Sequence, residues 1–428
     1  MRGTVGKGAV MPNELILNKE HLTGFLRKIA KERELIAPIK NSYGDTLFEV
    51  ISSVDDVSLD LESRPAMPPK DFFLPPTETL FNYQRKGRQY QFEEVLPDVS
   101  RVLFGLRSCD LWAFLFLDVV FQENFKDRYY LNRRSNTILI NIGCHEPMLN
   151  CFCKSAKSGP FLTQGYDLQL TDLGDRFFVE VGRPRGRELV DKWDYFFTSA
   201  TQKDRDEQYE IVLEAESKFG QTVDLDMAIS RLINHEVDDA LWEELGNRCQ
   251  GCGGCAYVCP TCYCFNIVDR PVSETQGERV RMHDACTLAG FTRLAGGYNP
   301  RQERSRRIRR RFYHKLPFAI EKYHRPSCVG CGRCMEICFG RVDMIHFIKM
   351  VCERGKKASQ EASLRLGEIL VQAGLISREE LKVALEKQAD TGKPLGIQLI
   401  EDGLTTTKEI ALALGCQLRI PETAGTEG

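Results

Sequence analysis

The most constraining feature of this chain is a pair of cysteine runs, each spaced C-x2-C-x2-C-x3-C. They fall at Cys249, Cys252, Cys255 and Cys259, and again at Cys328, Cys331, Cys334 and Cys338. Thiolates at this spacing give three ligands to one iron-sulfur cubane while the fourth reaches the other cluster of a pair. The expected ligand sets are therefore Cys249, Cys252, Cys255 with Cys338, and Cys328, Cys331, Cys334 with Cys259. Gly251, Gly253, Gly254, Gly330 and Gly332 let the backbone curl between ligands and offer N–H groups to sulfur. Structural zinc also uses C-x2-C pairs, but it closes on four ligands and does not ask for a four-cysteine run twice. Phe339 stands where proline follows the fourth cysteine of such runs, so the bend there has to be made differently.

The 17 cysteines of the 428-residue chain sit mostly in clusters, which fits metal ligation in a reducing compartment better than a disulfide scaffold. A net charge of -2 gives no general attraction to nucleic acid or anionic membrane. The most apolar stretches, Leu111–Phe121 and Thr137–Ile142, fall short of the roughly 20 residues of a membrane span. The opening MRGTVGKGAVMPNELIL lacks a signal-peptide core, and Met11 could serve as initiator. A cytoplasmic location without a membrane span is expected.

The length predicts two or three domains, and the fold class is α+β. Residues 12–220 read as a mixed α/β N-terminal domain: Leu15–Leu17 as a strand, then a helix capped by Asn18 and carrying Leu22, Phe25, Leu26 and Ile29. TLFEVIS (46–52), TILINIG (137–143) and RFFVEVG (176–182) read as strands, the last after a turn at Leu173-Gly174-Asp175. Residues 221–350 read as a helical lead-in and a ferredoxin-like dicluster domain. The lead-in carries Met227, Ile229, Leu232, Ile233, Val237, Leu241 and Leu245 as a buried stripe. CERGKKASQEAS (352–363) reads as a polar linker to a small helical domain at 363–420.

A further cysteine set precedes the two runs. Cys151 and Cys153 form C-x-C, Cys144 lies seven residues earlier, and Cys109 sits in Arg107-Ser108-Cys109-Asp110. Four thiolates would complete a third [4Fe-4S] site; the alternative is buried free cysteines in a β-rich core. Cys262, Cys264 and Cys286 read as thiols packed near a cluster, with alternative cluster ligation as the competing reading; Cys352 and Cys416 lie elsewhere. His283 and His314 read as polar packing. The arginines from Arg301 to Arg311 read as a basic segment that stabilises anionic clusters, raises their potential and docks an acidic partner, rather than a nucleic-acid patch. No Ser-His-Asp arrangement, Walker loop or GxGxxG is present, so neither bond-making catalysis nor a nucleotide cofactor for hydride chemistry is expected.

CQGCGGCAYVCPTCYCF, HDACTLAGFTRLAGGYNPR, the arginine-rich stretch ending in HK, and CVGCGRC together resemble the dicluster subunits of anaerobic sulfite reductase (A subunit) and NiFe sulfhydrogenases (beta subunit). The resemblance extends upstream through LPPTETLF, RSCDLWAF, GCHEPMLNCFCKSAKSGP and DLQLTDLGDRFFVEVG, covering about residues 70–345. It implies a non-catalytic electron-transfer subunit of an oxidoreductase complex. Such a subunit would relay electrons between a flavin-containing NAD(P)H- or ferredoxin-linked subunit and a catalytic redox subunit: a hydrogenase, a sulfite reductase or a heterodisulfide reductase-like module. The rival expectation is a redox sensor whose clusters signal through the C-terminal domain.

Residues 363–420 resemble the N-terminal domain of type II secretion and type IV pilus ATPases through Arg365-Leu366-Gly367, Leu370-Val371, Gly374-Leu375-Ile376, Leu381, Leu385 and Gln388. The resemblance implies cyclic di-GMP binding by Arg365, Gly367, Gly374 and Gln388. The second half of that motif is partial, because Pro394 replaces the arginine before Leu395-Gly396. A helical docking module whose leucines are core is the competing reading.

Overall fold

The computed structural model describes residues 13–410, apart from 124, 373 and 408. The chain forms two compact units. One takes in the chain up to Ile229 together with Asp239–Ile348; the other consists of Ser230–Asp238 and the chain from Lys349.

The described residues of the first unit form twelve strands: β1 Glu14–Asn18, β2 Glu34–Lys40, β3 Thr46–Ile51, β4 Thr77–Lys86, β5 Gln89–Glu94, β6 Arg101–Leu106, β7 Thr137–Ile142, β8 Leu168–Asp172, β9 Arg176–Val181, β10 Phe197–Ser199, β11 Phe265–Pro271 and β12 Gln276–His283. Eight of them form one sheet in the order β10-β1-β9-β8-β7-β6-β2-β3. Its centre, β2-β6-β7-β8, is parallel and its flanks are antiparallel. Every residue of β7 is buried, as expected of a strand covered on both faces. The helix Lys19–Ala30 buries Phe25, Leu26 and Ile29 with Phe104 and Ile140 on one face. Each such burial contributes roughly 1.5–3 kcal/mol. On the other face the helix Ser108–Gln122 packs Leu111, Phe114 and Leu117 with Leu103 and Leu139. The period-two alternation of β6 and β7 thus serves two cores at once.

The other four strands form an antiparallel sheet in the order β11-β12-β4-β5. Here β4 pairs with β12, which lies between the two cysteine runs, from Met282 opposite Thr77 to Gln276 opposite Gln84. Buried Glu78 on β4 accepts from Arg281 on β12, Nε to Oε2, at 3.0 Å. The division expected near residue 220 is therefore not a division between compact units, because the cysteine-rich segment is stitched to strands made long before it.

Three smaller expectations are corrected. Asn18 precedes its helix in an extended conformation, but its side chain makes no cap bond. The expected stripe at 227–245 is split between helices Leu225–Ile233 and Asp239–Arg248; Leu232, Leu241 and Leu245 are buried, but Met227 is 37% and Ile233 52% exposed. The polar stretch 352–363 is not a linker but part of the helix Met344–Gln372. Its Glu, Lys, Gln, Ala and Ser residues without proline tolerate a helix, and polarity alone was the wrong criterion.

In the second unit, Leu366, Leu370, Ile376, Ala384, Leu395 and Leu399 share a core. The helix Arg378–Thr391 opens on a capping box between Ser377 and Glu380. Among the described residues no helix is long and apolar enough to cross a membrane.

Candidate iron-sulfur centres

The two cysteine runs adopt one backbone twice. Gly251 and Gly253 have φ of +68° and +77°, and Gly330 and Gly332 have +63° and +77°. Each pair of left-handed glycines leads into a short helix, Gly254–Tyr257 or Arg333–Ile337. An L-residue would lose roughly 1–2 kcal/mol at each such position, so the glycines are what lets the ligands fold back on themselves. The curl also aims amides at sulfur: Gly251 N donates to Cys249 Sγ at 3.3 Å and Val342 N to Cys338 Sγ at 3.2 Å. Phe339, in the proline position, is 98% exposed, and the chain turns instead through Arg341 at φ +51°.

The thiols fall into neighbourhoods that cross between the runs. Burial raises Cys255, Arg311 opposes, and its thiol neighbours are Cys338, Cys286 and Cys249. Burial pushes Cys328 up to about 12, with Cys259 and Cys331 adding to the rise. Cys334 is likewise raised by burial and then, against Arg311, by Cys328 and Cys331. Cys259, next to Cys255 in the first run, thus sits with the second run, and Cys338 of the second run sits with the first.

The third cysteine set lies at the carboxyl ends of the parallel strands. Cys109 follows β6, Cys144 follows β7, and Cys151 and Cys153 come from the loop between β7 and β8. All four line one cavity, which is where an open parallel sheet presents its binding crevice. Burial pushes Cys151 up to about 11, against Arg64, with Cys144 and Cys331 adding to it. Cys153 is raised by burial and by Cys144, Cys151 and Cys331. This set adjoins the second run directly. Phe152 N donates to Gly330 O at 2.8 Å, Ser158 Oγ to Val329 O at 2.6 Å, and Cys151 Sγ lies 3.7 Å from Cys331 O. A Cβ on Gly330 would stand 2.6 Å from Phe152 O, so glycine is required for the approach as well as for the turn.

A profile described as a 4Fe-4S dicluster domain matches residues 248–342, which hold all eight cysteines of the two runs. Over 337 residues the chain is 32% identical to the sulfhydrogenase 2 subunit beta of Pyrococcus furiosus, covering 79% of this chain and 98% of that protein. The chain belongs to the sulfhydrogenase beta-subunit family. It is an iron-sulfur electron-transfer subunit.

The residues around these cysteines suit the anionic clusters of such a family member. Arg64 and Arg107 line the cavity of the third set, and Arg64 Nε, Arg64 Nη1 and Arg107 Nε are buried without an acceptor. Arg311 Nε is equally orphaned, and Arg311 neighbours Cys255 and Cys334. Buried donors left unpaired are costly, and thiolate-ligated sulfide clusters would supply the missing acceptors and charge. Lys315 is fully buried; burial disfavours its charge, but Cys259, Cys262 and Cys328 outweigh this and raise it. Among the described residues no three metal-ligating side chains converge on a single ion. A cubane takes one thiolate at each iron corner, so its ligands stand apart.

The arginine-rich segment forms the helix Arg304–Lys315. Only part of it serves the centres: Arg311 and Lys315 do, whereas Arg307 is tied to the carbonyls of Thr287 and Arg301. Cys262 donates to Cys259, and this bond, reinforced by Lys315, Thr261 and Lys70 against burial, holds Cys259 well below the usual thiol range. Cys264 and Cys286 hydrogen-bond to each other. His283 and His314 are held neutral down to about 4, chiefly by burial, as packing residues are. Cys352 is half-buried on the helix Met344–Gln372, and Cys416 lies outside the described residues.

Sequence reasoning missed Lys70, Arg64 and the Arg333–Asp110 pair. Lys70 Nζ donates to Ala256 O at 3.1 Å. Arg333 and Asp110 are joined by two bonds of 2.6 and 2.8 Å. Their one sequence signal was adjacency to cysteines, Asp110 after Cys109 and Arg333 before Cys334.

In the second unit the side chain of Arg365 lies outside the described residues. Gly367 is buried against Leu381, whose Cδ1 would stand 2.4 Å from an added Cβ. Gly374 is in the left-handed region at φ +69° with open space around it, and Gln388 O accepts from Gly392 N at 2.9 Å.

Proposed function

We propose that this chain is the relay of a multi-subunit cytoplasmic oxidoreductase, holding two cross-ligated [4Fe-4S] clusters and a third. Cys249, Cys252, Cys255 and Cys338 would hold the first, Cys328, Cys331, Cys334 and Cys259 the second, and Cys109, Cys144, Cys151 and Cys153 the third. Bound clusters supply one-electron carriers whose potentials follow charge, hydrogen bonding and exposure. The observation that carries the reading is the contiguity of the three cysteine sets within one unit, with Cys151 Sγ 3.7 Å from Cys331 O. The protein's own part is to shield and charge-balance. Cys109, Cys151, Cys153 and Cys331 are buried, Arg64, Arg107, Arg311 and Lys315 provide fixed positive charge, and Cys252 is the exposed ligand that leaves the first centre open to a partner. Buried cationic donors near sulfur hold electrons more tightly, which raises the potential.

The partners in this reading are a flavin-containing subunit linked to NAD(P)H or ferredoxin and a catalytic redox subunit. Residues 363–420 serve as a helical docking module; the smallness of Gly367 is used by Leu381, which leaves the cyclic di-GMP reading without support at that position. A redox sensor has no comparable observation behind it. Iron content tests the proposal: anaerobically purified protein should carry about twelve irons per chain, and the Cys151→Ser/Cys153→Ser variant about eight. A wild-type value near eight, unchanged in that variant, would remove the third centre.

A further inference from the structure

At the amino end of β7, the end remote from the cysteine cavity, the first unit carries an open cleft of about 740 Å³. Its charge is strongly one-sided: Lys126, Arg128, Arg134, Arg183 and Arg185 line it against a single acid, Asp118. Three of the five cations are matched. Arg134 Nε holds both oxygens of Asp118 at 3.1 Å, Arg128 reaches Glu94 at 2.7 Å, and Arg185 lies 3.4 Å from Asp167. Asp118 is further fixed by the Tyr130 hydroxyl at 2.8 Å, so it is committed and not free to turn towards another cation.

Among the described residues neither Lys126 nor Arg183 has a carboxylate oxygen within 4.0 Å; Asp118 and Asp167, which act on Arg183 from farther off, are bonded to Arg134 and Arg185. Lys126 is exposed, but Arg183 is half-buried; burial and then Arg134 disfavour its charge, Asp167 and Asp118 partly offset them, and Arg185 adds to the repulsion. A guanidinium in that position loses water and meets both signs of charge, with no carboxylate bonded to it. With Arg128, Arg134 and Arg185 already matched by Glu94, Asp118 and Asp167, the cleft keeps an excess of two positive charges, those of Arg183 and Lys126. Two unmatched cations call for about two negative charges, and the planar donor fork of arginine fits tetrahedral oxyanions.

We propose that this cleft binds a small, multiply charged phosphate-class anion, either free pyrophosphate or the phosphate end of a metabolite, with Arg183 as its principal ligand and Lys126 at the mouth. This goes beyond the relay reading and stands apart from it, because none of these residues neighbours the cysteines. Occupancy would replace unfavourable cation–cation contacts at the root of the helix Pro184–Lys192 by charge-assisted bonds.

The test is calorimetric titration of the full-length, iron-loaded protein with inorganic pyrophosphate and, separately, with adenosine diphosphate. Saturable binding that weakens about tenfold or more in Arg183→Gln, weakens with added salt, and is unchanged in Arg88→Gln on the remote β4–β5 turn is expected. Tighter binding of the nucleotide assigns a metabolite; equal binding assigns the inorganic group. Lys126→Gln, at an exposed position, repeats the measurement should Arg183→Gln fold poorly, as judged by its iron content. No saturable binding of either probe, or binding indifferent to both substitutions, overturns the proposal. Arg183-dependent capture of a hexaglutamate peptide without binding of pyrophosphate would also overturn it, since the cleft would then dock protein.

Discussion

Asp110→Asn is the most informative single perturbation of the first unit. Arg333 Nη1 and Nη2 meet Asp110 Oδ1 and Oδ2 at 2.6 and 2.8 Å, the guanidinium Nε donates to Pro65 O at 3.0 Å, and the side chains are 1% and 0% exposed. The amide keeps the shape but leaves a guanidinium fully buried without its counter-charge, in a second run already crowded with burial-raised thiols. Removing one member of a buried pair costs about 3–5 kcal/mol. For a unit of about 340 residues, unfolding entropy near 2.1 cal/mol/K per residue translates this into a melting shift of roughly 4–7 °C. The assay is thermal unfolding of anaerobic, iron-loaded protein at one fixed scan rate, with iron determined beforehand. Replacing both partners, Arg333→Met with Asp110→Leu, removes the charge problem and should recover most of the loss, less about 1 kcal/mol for the bond to Pro65. A shift below about 1 °C in Asp110→Asn, or a double variant less stable than the single, would refute the reasoning, because Cys331 and Cys109 beside Arg333 would then supply its counter-charge.

Other outcomes are equally specific. Cys338→Ser should perturb the same cluster as Cys255→Ser by electron paramagnetic resonance, and Cys259→Ser the same one as Cys331→Ser; pairing by run instead would dismantle the crossed assignment. Gly330→Ala should lose more iron and more stability than Gly251→Ala. Both carry the left-handed cost of roughly 1–2 kcal/mol, but only at position 330 does a Cβ meet backbone, at 2.6 Å, whereas Gly251 faces open space; equal effects would contradict this. His314 is held down to about 4, first by burial and then by Lys315, Arg310 and Lys322. The unfolded chain takes up that proton below about 6.5, so the stability from keeping it off is full above pH 6.5 and is lost as pH falls towards 4, by up to about 3 kcal/mol. His314→Gln should flatten the acid limb of the denaturant midpoint against pH, and an unchanged limb would exclude His314 as its source.

What could be read from the sequence followed the range of the forces involved. The strands at 46–51, 137–142 and 176–181 were legible because β-branched and aromatic runs encode them locally. The two cysteine runs were legible because ligand spacing is fixed along the chain. Grouping Cys109 with Cys144, Cys151 and Cys153 was also within reach, since loops after neighbouring parallel strands converge. The Arg333–Asp110 pair, 223 residues apart, has no local signature, and adjacency to cysteine does not name a partner. The four-stranded sheet was hidden for a different reason. All of β5 and β11 is exposed, so neither shows the alternation that burial of one face imposes.

The contact between residues 150–153 and 329–332 also bears on how the protein is made. Cys151 and Cys331 are 180 residues apart. At about 5–20 residues per second, the earlier segment leaves the ribosome roughly 10–35 s before the later one exists. The eight-stranded sheet, complete by Ser199, has that interval in which to form. The second run then meets a surface already shaped for its two glycines, and in the proposed crossed assignment the first run would wait for Cys338. In that assignment a nascent chain halted before Cys338 would present iron donors with incomplete sets of thiols, so clusters would be completed only when synthesis is nearly finished.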